Sequence, residues 1–325
     1  MKRPLIILFS SLAATLLLCT VIYHFYTAGI TKFEVHKRER LKEIFEKSTR
    51  YDVLFIGSSR THTTINPAVT DSILHVSCYN AGVEGGFIND FLMTYKGYLI
   101  HHPPPGLLFL SLDLWSLESQ SGIFDYIQYF PFIDNPEVAS YFRSNGYNTS
   151  AYSAFPFLTL IHLDDYTRTN AIKGFLGKTE IPAGEFQFAG YMSNSDKTIA
   201  NWVNTPPTDS LKTLQLKNLS SITALIEICQ KTGTKLVISY APEYQRKLQM
   251  RYTNADRFFN AVDSVCIKHN IPFYRDDTLE MSADPMNFAN PGHVNTAGAY
   301  LYSKIAAHQL TKSFPDLFPD IHNAN

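Results

Sequence analysis

The chain has 325 residues, of which 45% are hydrophobic and 14% aromatic, and a formal net charge of −1. That length accommodates one large domain or two small ones, at about 100–200 residues per domain, and the near-neutral balance gives no electrostatic basis for nucleic acid as a partner. The four cysteines, Cys19, Cys78, Cys229 and Cys266, form no CxxC pair and no metal-ligand spacing, so no metal is expected, and Cys229 and Cys266 are read as buried thiols before a disulfide.

Lys2 and Arg3 precede residues 4–23, which carry no charge and are long enough for one helix across a hydrocarbon core of about 30 Å. Residues 1–24 are therefore expected to be a transmembrane signal anchor. A cleavable signal is the rival, but the stretch lacks a small-x-small site. Residues 25–50 follow as a charged juxtamembrane helix, with Leu41, Ile44 and Phe45 on one face and opposite charges at helical spacing. It either holds the next domain off the bilayer or binds a membrane-protein partner. Lys32, Lys37, Arg38, Arg40 and Lys42 outnumber the two bases before the span, which by the positive-inside rule favours a cytoplasmic domain. Glu34, Glu39 and Glu43, interleaved among them, weaken that bias.

Residues 52–56 are a short run rich in β-formers that stops at Gly57-Ser58-Ser59-Arg60. This is the pattern of a buried strand delivering small polar residues to a turn. In open α/β sheets ligands bind beyond the carboxyl ends of the strands, so Ser59 is the candidate nucleophile. Asn66-Pro67 is a helix start. Residues 75–79 form a second strand leading into Asn80-Ala81-Gly82-Val83-Glu84-Gly85-Gly86 and a helix over 87–100. A glycine-rich turn before a helix exposes N–H groups suited to a developing oxyanion, although such a turn is often only a turn. Residues 106–112 form a third strand, with Asp113 at its carboxyl end.

The rhythm then breaks. Between Trp115 and Trp202 there are 18 aromatic residues and no clean strand–helix alternation, which predicts an ordered insertion over 115–208 with a helix opening at Asn135-Pro136. Its rings either form its own core or wall a cleft for sugar. Alternation resumes with a helix over 211–229 closed by Gly233, a strand over 235–240, a helix closed near Asn270, and a strand over 271–274. The predicted fold is a doubly wound parallel α/β sheet of about five strands occupying 51–325. A final motif, Asn290-Pro291-Gly292-His293, precedes a helix from Thr296 with Asn295 as its cap.

The ordered trio of Gly-Ser-Ser, Asn-Ala-Gly-Val-Glu-Gly-Gly and Asn-Pro-Gly-His resembles the SGNH (GDSL-type) hydrolases, especially their membrane-anchored extracytoplasmic bacterial branch. The resemblance spans residue 51 to the C-terminus. It implies Ser59 as nucleophile, His293 as base, and Gly85 with the Ser59 N–H as oxyanion donors. The chain departs from the pattern twice. Asp113 stands where the family places an oxyanion-hole Asn, and a carboxylate there repels an oxyanion unless protonated or turned away. Asn290 stands where the family places the Asp that supports the histidine, and an Asn orients an imidazole without stabilising its charged form. Asp276, Asp277 and Asp284 are the nearby carboxylates able to substitute. Arg60 is read as an outward salt-bridge partner before an anion-binding residue, and His62 as exposed.

The resemblance implies an esterase or O-acyltransferase for acyl, especially acetyl, esters of carbohydrate or cell-envelope polymer. It would need no cofactor and would be anchored with its domain in the periplasm or outside the cell. Two alternatives stand beside it: a catalytically weak scaffold binding polymer or a membrane partner, and a lectin-like binder using the aromatic insertion.

Overall fold

The computed structural model describes residues 2–120, 122–180, 187–193, 198–199 and 211–318. The expected end of the insertion, with Trp202, Pro206-Pro207 and residue 208, lies outside the described residues. The helices are α1 (Lys2–Phe33), α2 (Val35–Glu46), α3 (Ser59–Thr64), α4 (Pro67–Leu74), α5 (Ile88–Tyr98), α6 (Pro136–Ser144), α7 (Thr149–Ala154), α8 (Asp165–Phe175), α9 (Leu219–Thr232), α10 (Ala255–His269) and α11 (Thr296–Ser313). The main strands are β1 (Val53–Ile56), β2 (Cys78–Asn80), β3 (Leu107–Ser111), β4 (Lys235–Tyr240) and β5 (Phe273–Arg275). The chain forms two units, one of Met1–Phe45 with Asp125–Gly184 and one of Glu46–Phe124 with Glu185–Asn325.

The first unit contains the apolar helix. Residues Arg3–Phe33 are long and apolar enough to cross a membrane, by length and composition. α1 does not stop near residue 24, because residues 24–33 contain no proline and only one charge, Lys32. At about 1.5 Å per residue it is roughly 48 Å long, and its last turns pack on α8. The two backbones are in contact there: a Cβ on Gly29 would lie 2.1 Å from the Ala171 carbonyl oxygen, and one on Gly174 1.9 Å from that of Gly29. α2 is not a solvated spacer, since Lys37, Arg38 and Arg40 are buried along with Leu41, Ile44 and Phe45. Asn135 caps α6 as its sequence predicts, accepting from the Glu137 and Val138 N–H groups. Tyr126, Phe130, Tyr147 and Tyr152 each pack at 5.3–5.8 Å from the His162 ring, and Tyr152 Oη lies 2.7 Å from His162 Nε2. These insertion rings form a core of their own.

The second unit is a five-stranded sheet in the order β2-β1-β3-β4-β5, with every neighbouring pair parallel. All four residues of β1 and all five of β3 are buried, as expected for strands covered on both faces. Val53, Phe55, Leu107, Phe109 and Val237 share one core with Leu74 of α4 and with Tyr302, Ala306 and Leu310 of α11. Alternation turns Leu54, Ile56, Leu108, Leu110 and Ile238 to the opposite layer. On that side Tyr240 meets Phe258 and Phe259 of α10. Cys78, Cys229 and Cys266 are buried thiols.

Helix ends follow the punctuation in the sequence. Asn66 and Asn295 accept backbone N–H groups as N-caps, and Gly233 and Asn270 close α9 and α10 in the left-handed conformation. One expected start is corrected: residues 211–218 are not helical, and α9 begins at Leu219. Leu214 is tied instead through its N–H and C=O to the Asn254 side chain, at 2.8 and 3.1 Å.

Candidate active site

β1 ends at Ile56, and the chain turns through Gly57-Ser58 straight into α3, making Ser59 the first helical residue. Ser58 Oγ caps the turn, accepting from the Arg60 N–H at 3.1 Å and donating to Asp113 Oδ2. Ser59 Oγ lies 3.1 Å from His293 Nε2 across 234 residues of sequence. His293 stands on a small antiparallel ribbon of Phe288–Asn290 and His293–Val294. Within it, Asn290 Oδ1 accepts from the N–H groups of Gly292 and His293, each at 3.0 Å, and faces His293 Nδ1 at 3.1 Å. An acceptor at that distance requires the proton on Nδ1, which leaves the Nε2 lone pair facing the Ser59 hydroxyl. Sequence motifs remote from one another thus meet in a Ser59–His293–Asn290 chain.

Arg60 is neither outward-facing nor open to anions. It is 1% exposed, and its donors are engaged: Nε with Gly292 O at 2.9 Å, Nη1 with Asp113 Oδ1 at 2.6 Å, and Nη2 with Ala241 O and Pro242 O at 2.7 and 2.9 Å. Its guanidinium also lies 5.0 Å from the Tyr240 ring centroid. A buried charge persists only when paired and fully hydrogen-bonded, and this one pins the ends of β3 and β4 to the histidine loop. Asp113 is correspondingly occupied by Ser58 and Arg60, so the expected repulsion of an oxyanion is met by turning the carboxylate into an ion pair. His62, expected to be exposed, is buried.

The second turn runs beside the first. Ala81 N–H donates to Phe55 O and Val83 N–H to Gly57 O, both at 2.8 Å, which sets Gly85 in the turn two residues further on. Gly85 has φ +61°, and a Cβ there would fall 2.1 Å from the ring of Phe124. Both conditions exclude a side chain. Phe124 is itself 53% exposed and covers this turn.

Burial pushes the His293 imidazole down to about 4, Arg60 lowers it further, and Asp113 and Glu84 oppose the shift. The imidazole is therefore a neutral acceptor across the physiological range. None of the carboxylates considered as substitutes supports the histidine. Asp276 accepts from Tyr302, Ser239 and Gln309, Asp277 pairs with Arg275 and Gln249, and Asp284 caps Met286. Glu243, buried and hydrogen-bonded by Tyr240 Oη at 3.1 Å, is pushed up to about 7 by its burial.

Strand order and the placement of Ser59 beyond β1 define a doubly wound parallel α/β fold with a serine at the carboxyl end of its first strand. No family model and no curated protein matches this sequence. Among solved structures the chain is similar to a lipase/acylhydrolase from Enterococcus faecalis, with 13% identity over 82% of this chain and 97% of that one and a TM-score of 0.38. It is similar to a GDSL-like lipase from Bacteroides thetaiotaomicron, with 10% identity over 80% and 87% and a TM-score of 0.37. It is also similar to a catalytic mutant of an acetylxylan esterase from Geobacillus stearothermophilus, with 9% identity over 82% and 95% and a TM-score of 0.40.

Proposed function

We propose that the protein is a serine-dependent esterase or O-acyltransferase acting on acyl, especially acetyl, esters of carbohydrate or cell-envelope polymer, anchored by α1 with its sheet domain outside the cytoplasm. The observation that carries this reading is the 3.1 Å approach of Ser59 Oγ to His293 Nε2, with Nδ1 held by Asn290. Ser59 Oγ attacks the ester carbonyl carbon as its proton passes to Nε2, and the same proton then goes to the departing alkoxide. Water or a sugar hydroxyl next gives its proton to Nε2 as its oxygen takes the acyl group, and that proton passes from Nε2 to the departing Ser59 Oγ, restoring the hydroxyl. The Ser59 and Gly85 N–H groups are assigned to the oxyanion. Asn290 fixes ring orientation and tautomer.

Full-length protein in detergent should hydrolyse p-nitrophenyl acetate and react with a fluorophosphonate. Ser59→Ala and His293→Ala should lose at least ~10³-fold in rate, as expected for removing a nucleophile or its base, with unchanged circular dichroism. Equal labelling of wild type and Ser59→Ala would overturn the assignment.

A second reading is supported by Asn290 itself. With no carboxylate on Nδ1 the imidazolium is poorly stabilised, which suits a catalytically weak scaffold that binds polymer or a membrane partner. Polymer binding that survives Ser59→Ala, with no turnover of any acyl ester, would favour this second reading.

A further inference from the structure

The first unit has an apolar surface that neither its own core nor the Ser–His chemistry uses. Residues 155–163, Phe-Pro-Phe-Leu-Thr-Leu-Ile-His-Leu, include no Asp, Glu, Lys or Arg and contain a short 3-10 helix, Pro156–His162. Within this segment Ile161 is 74% exposed, and Phe155 is exposed as well. A second segment ends α8, where Ile172, Phe175 and Leu176 are exposed, Leu176 to 72%. Large apolar side chains exposed singly need no explanation, but five that flank one stretch of another helix mark a contact surface.

That stretch is where the apolar span of α1 ends. Residues 3–18 of α1 are exposed, and Cys19, Thr20 and Tyr23 are the first to be half-buried. Counting about 20 residues of span from Pro4 puts the end of the hydrocarbon core near Tyr23. Cys19 is only about 6 Å short of that point at ~1.5 Å per residue, so the rest of the unit closes on α1 within the last turn of the span. Leu160 and Leu163 line one crevice with Tyr23 and Tyr26, which sets the 3-10 helix at this level. The Phe175 ring stacks on that of Phe25 with centroids 4.2 Å apart, which sets the end of α8 there too. Lys32 Nζ lies 5.3 Å from the Phe175 centroid and Lys173 Nζ 5.6 Å from that of Phe33. Cations set against rings suit a bilayer boundary, where long basic side chains reach from apolar surface to the headgroups.

We propose that these two segments insert into the bilayer surface beside α1, with Phe155, Ile161, Phe175 and Leu176 entering the boundary between headgroups and acyl chains. The inference rests on the proposed reading of α1 as an anchor and extends it: the first unit is then held at the membrane by its own apolar surface as well as by the span. Interfacial insertion reaches roughly 5–10 Å below the headgroups, which matches the depth between Cys19 and Tyr23. The occupant is lipid because the surface flanks the exposed apolar length of α1 at the turns where that length ends.

The test reconstitutes full-length protein in phosphatidylcholine vesicles that include a photoactivatable phosphatidylcholine, with a diazirine on the upper part of one acyl chain, and locates lipid adducts by mass spectrometry after irradiation. Peptides covering 155–161 and 172–176 should be labelled at least tenfold more than the exposed polar residues Ser140, Arg143 and Ser144 of α6, which belong to the same unit. Residues 5–22 of α1 should be labelled in the same sample. Labelling of α1 with both segments at the α6 level would overturn the inference and leave the anchor standing. Absence of adducts from α1 itself would overturn the anchor, and the inference with it. Unlabelled segments that a chemical cross-linker joins between two copies would assign the surface to a dimer and overturn the lipid contact.

Discussion

Asn290→Asp isolates the weakest link in the Ser59–His293–Asn290 chain. The change is isosteric, and all three contacts of residue 290, with the N–H groups of Gly292 and His293 and with His293 Nδ1, are made by Oδ1, so a carboxylate preserves each of them. What it adds is charge beside the imidazole. The ring is now pushed down to about 4, by burial first and by Arg60 second, and a base that weak abstracts a serine proton poorly. Each unit restored is worth about 1.4 kcal/mol of imidazolium stability, so returning the ring to the ordinary range near 6.5 recovers ~3 kcal/mol, or on the order of 10² in rate. The carboxylate–amide difference in a serine-protease triad, about 10⁴, sets the ceiling. The assay is kcat/KM against pH with p-nitrophenyl acetate. Wild type should keep its activity down to an acid limb near 4, because its histidine stays neutral to that point, whereas Asn290→Asp should be faster at pH 7–8 with its limb displaced upward. An Asn290→Asp protein with the wild-type rate and acid limb would refute the reasoning that the partner of Nδ1 limits His293.

Two further outcomes follow from the buried charges. Asp113→Ala should destabilise the sheet domain by about 3–5 kcal/mol, the usual consequence of removing one partner of a buried ion pair, because Arg60 keeps only carbonyl acceptors; urea unfolding measures it, and a loss under ~1 kcal/mol would mean that the pair is dispensable. Glu243 is pushed up to about 7 from 4.5, so the folded state holds its proton more tightly. The stability this confers is complete below about 4.5 and is lost as pH rises through 7. His293, pushed down, contributes the opposite slope between about 4 and 6.5. The stability of wild type relative to Glu243→Gln should therefore fall by up to ~3 kcal/mol between pH 4.5 and 7, and a flat difference would place the Glu243 proton elsewhere.

The sheet was legible because its information is local. Residues 53–56, 107–111 and 235–240 are apolar runs with nothing else to become, and Asn66, Gly233, Asn270 and Asn295 punctuate the helices by their own backbone and side-chain chemistry. α3 was not legible, since Ser-Arg-Thr-His-Thr-Thr contains poor helix formers and is held by the Ser58 cap and by packing. The first unit was hidden for a different reason. It joins residues 1–45 to 125–184, and no periodicity in α1 announces that Gly29 will meet Ala171 and Gly174. Residues 211–218 show the converse, a helical spacing of leucines overridden by the bonds between Leu214 and Asn254.

Arg60 shows why a motif alone misjudged the site. Against the hydrolase motifs that the sequence resembles, position 113 has a carboxylate and position 290 an amide. For the proposed chemistry, taken singly, the first works against an oxyanion by repulsion and the second leaves an imidazolium without a carboxylate. The guanidinium connects them. It neutralises Asp113, which removes the first objection, and through Gly292 O it fixes the loop that aims His293 at Ser59. The same charge lowers the imidazole's affinity for a proton, which sharpens the second. Stability of the pinned loop and strength of the base are therefore set against each other by one side chain, and residue 290 is the position at which base strength can be recovered without disturbing the pin.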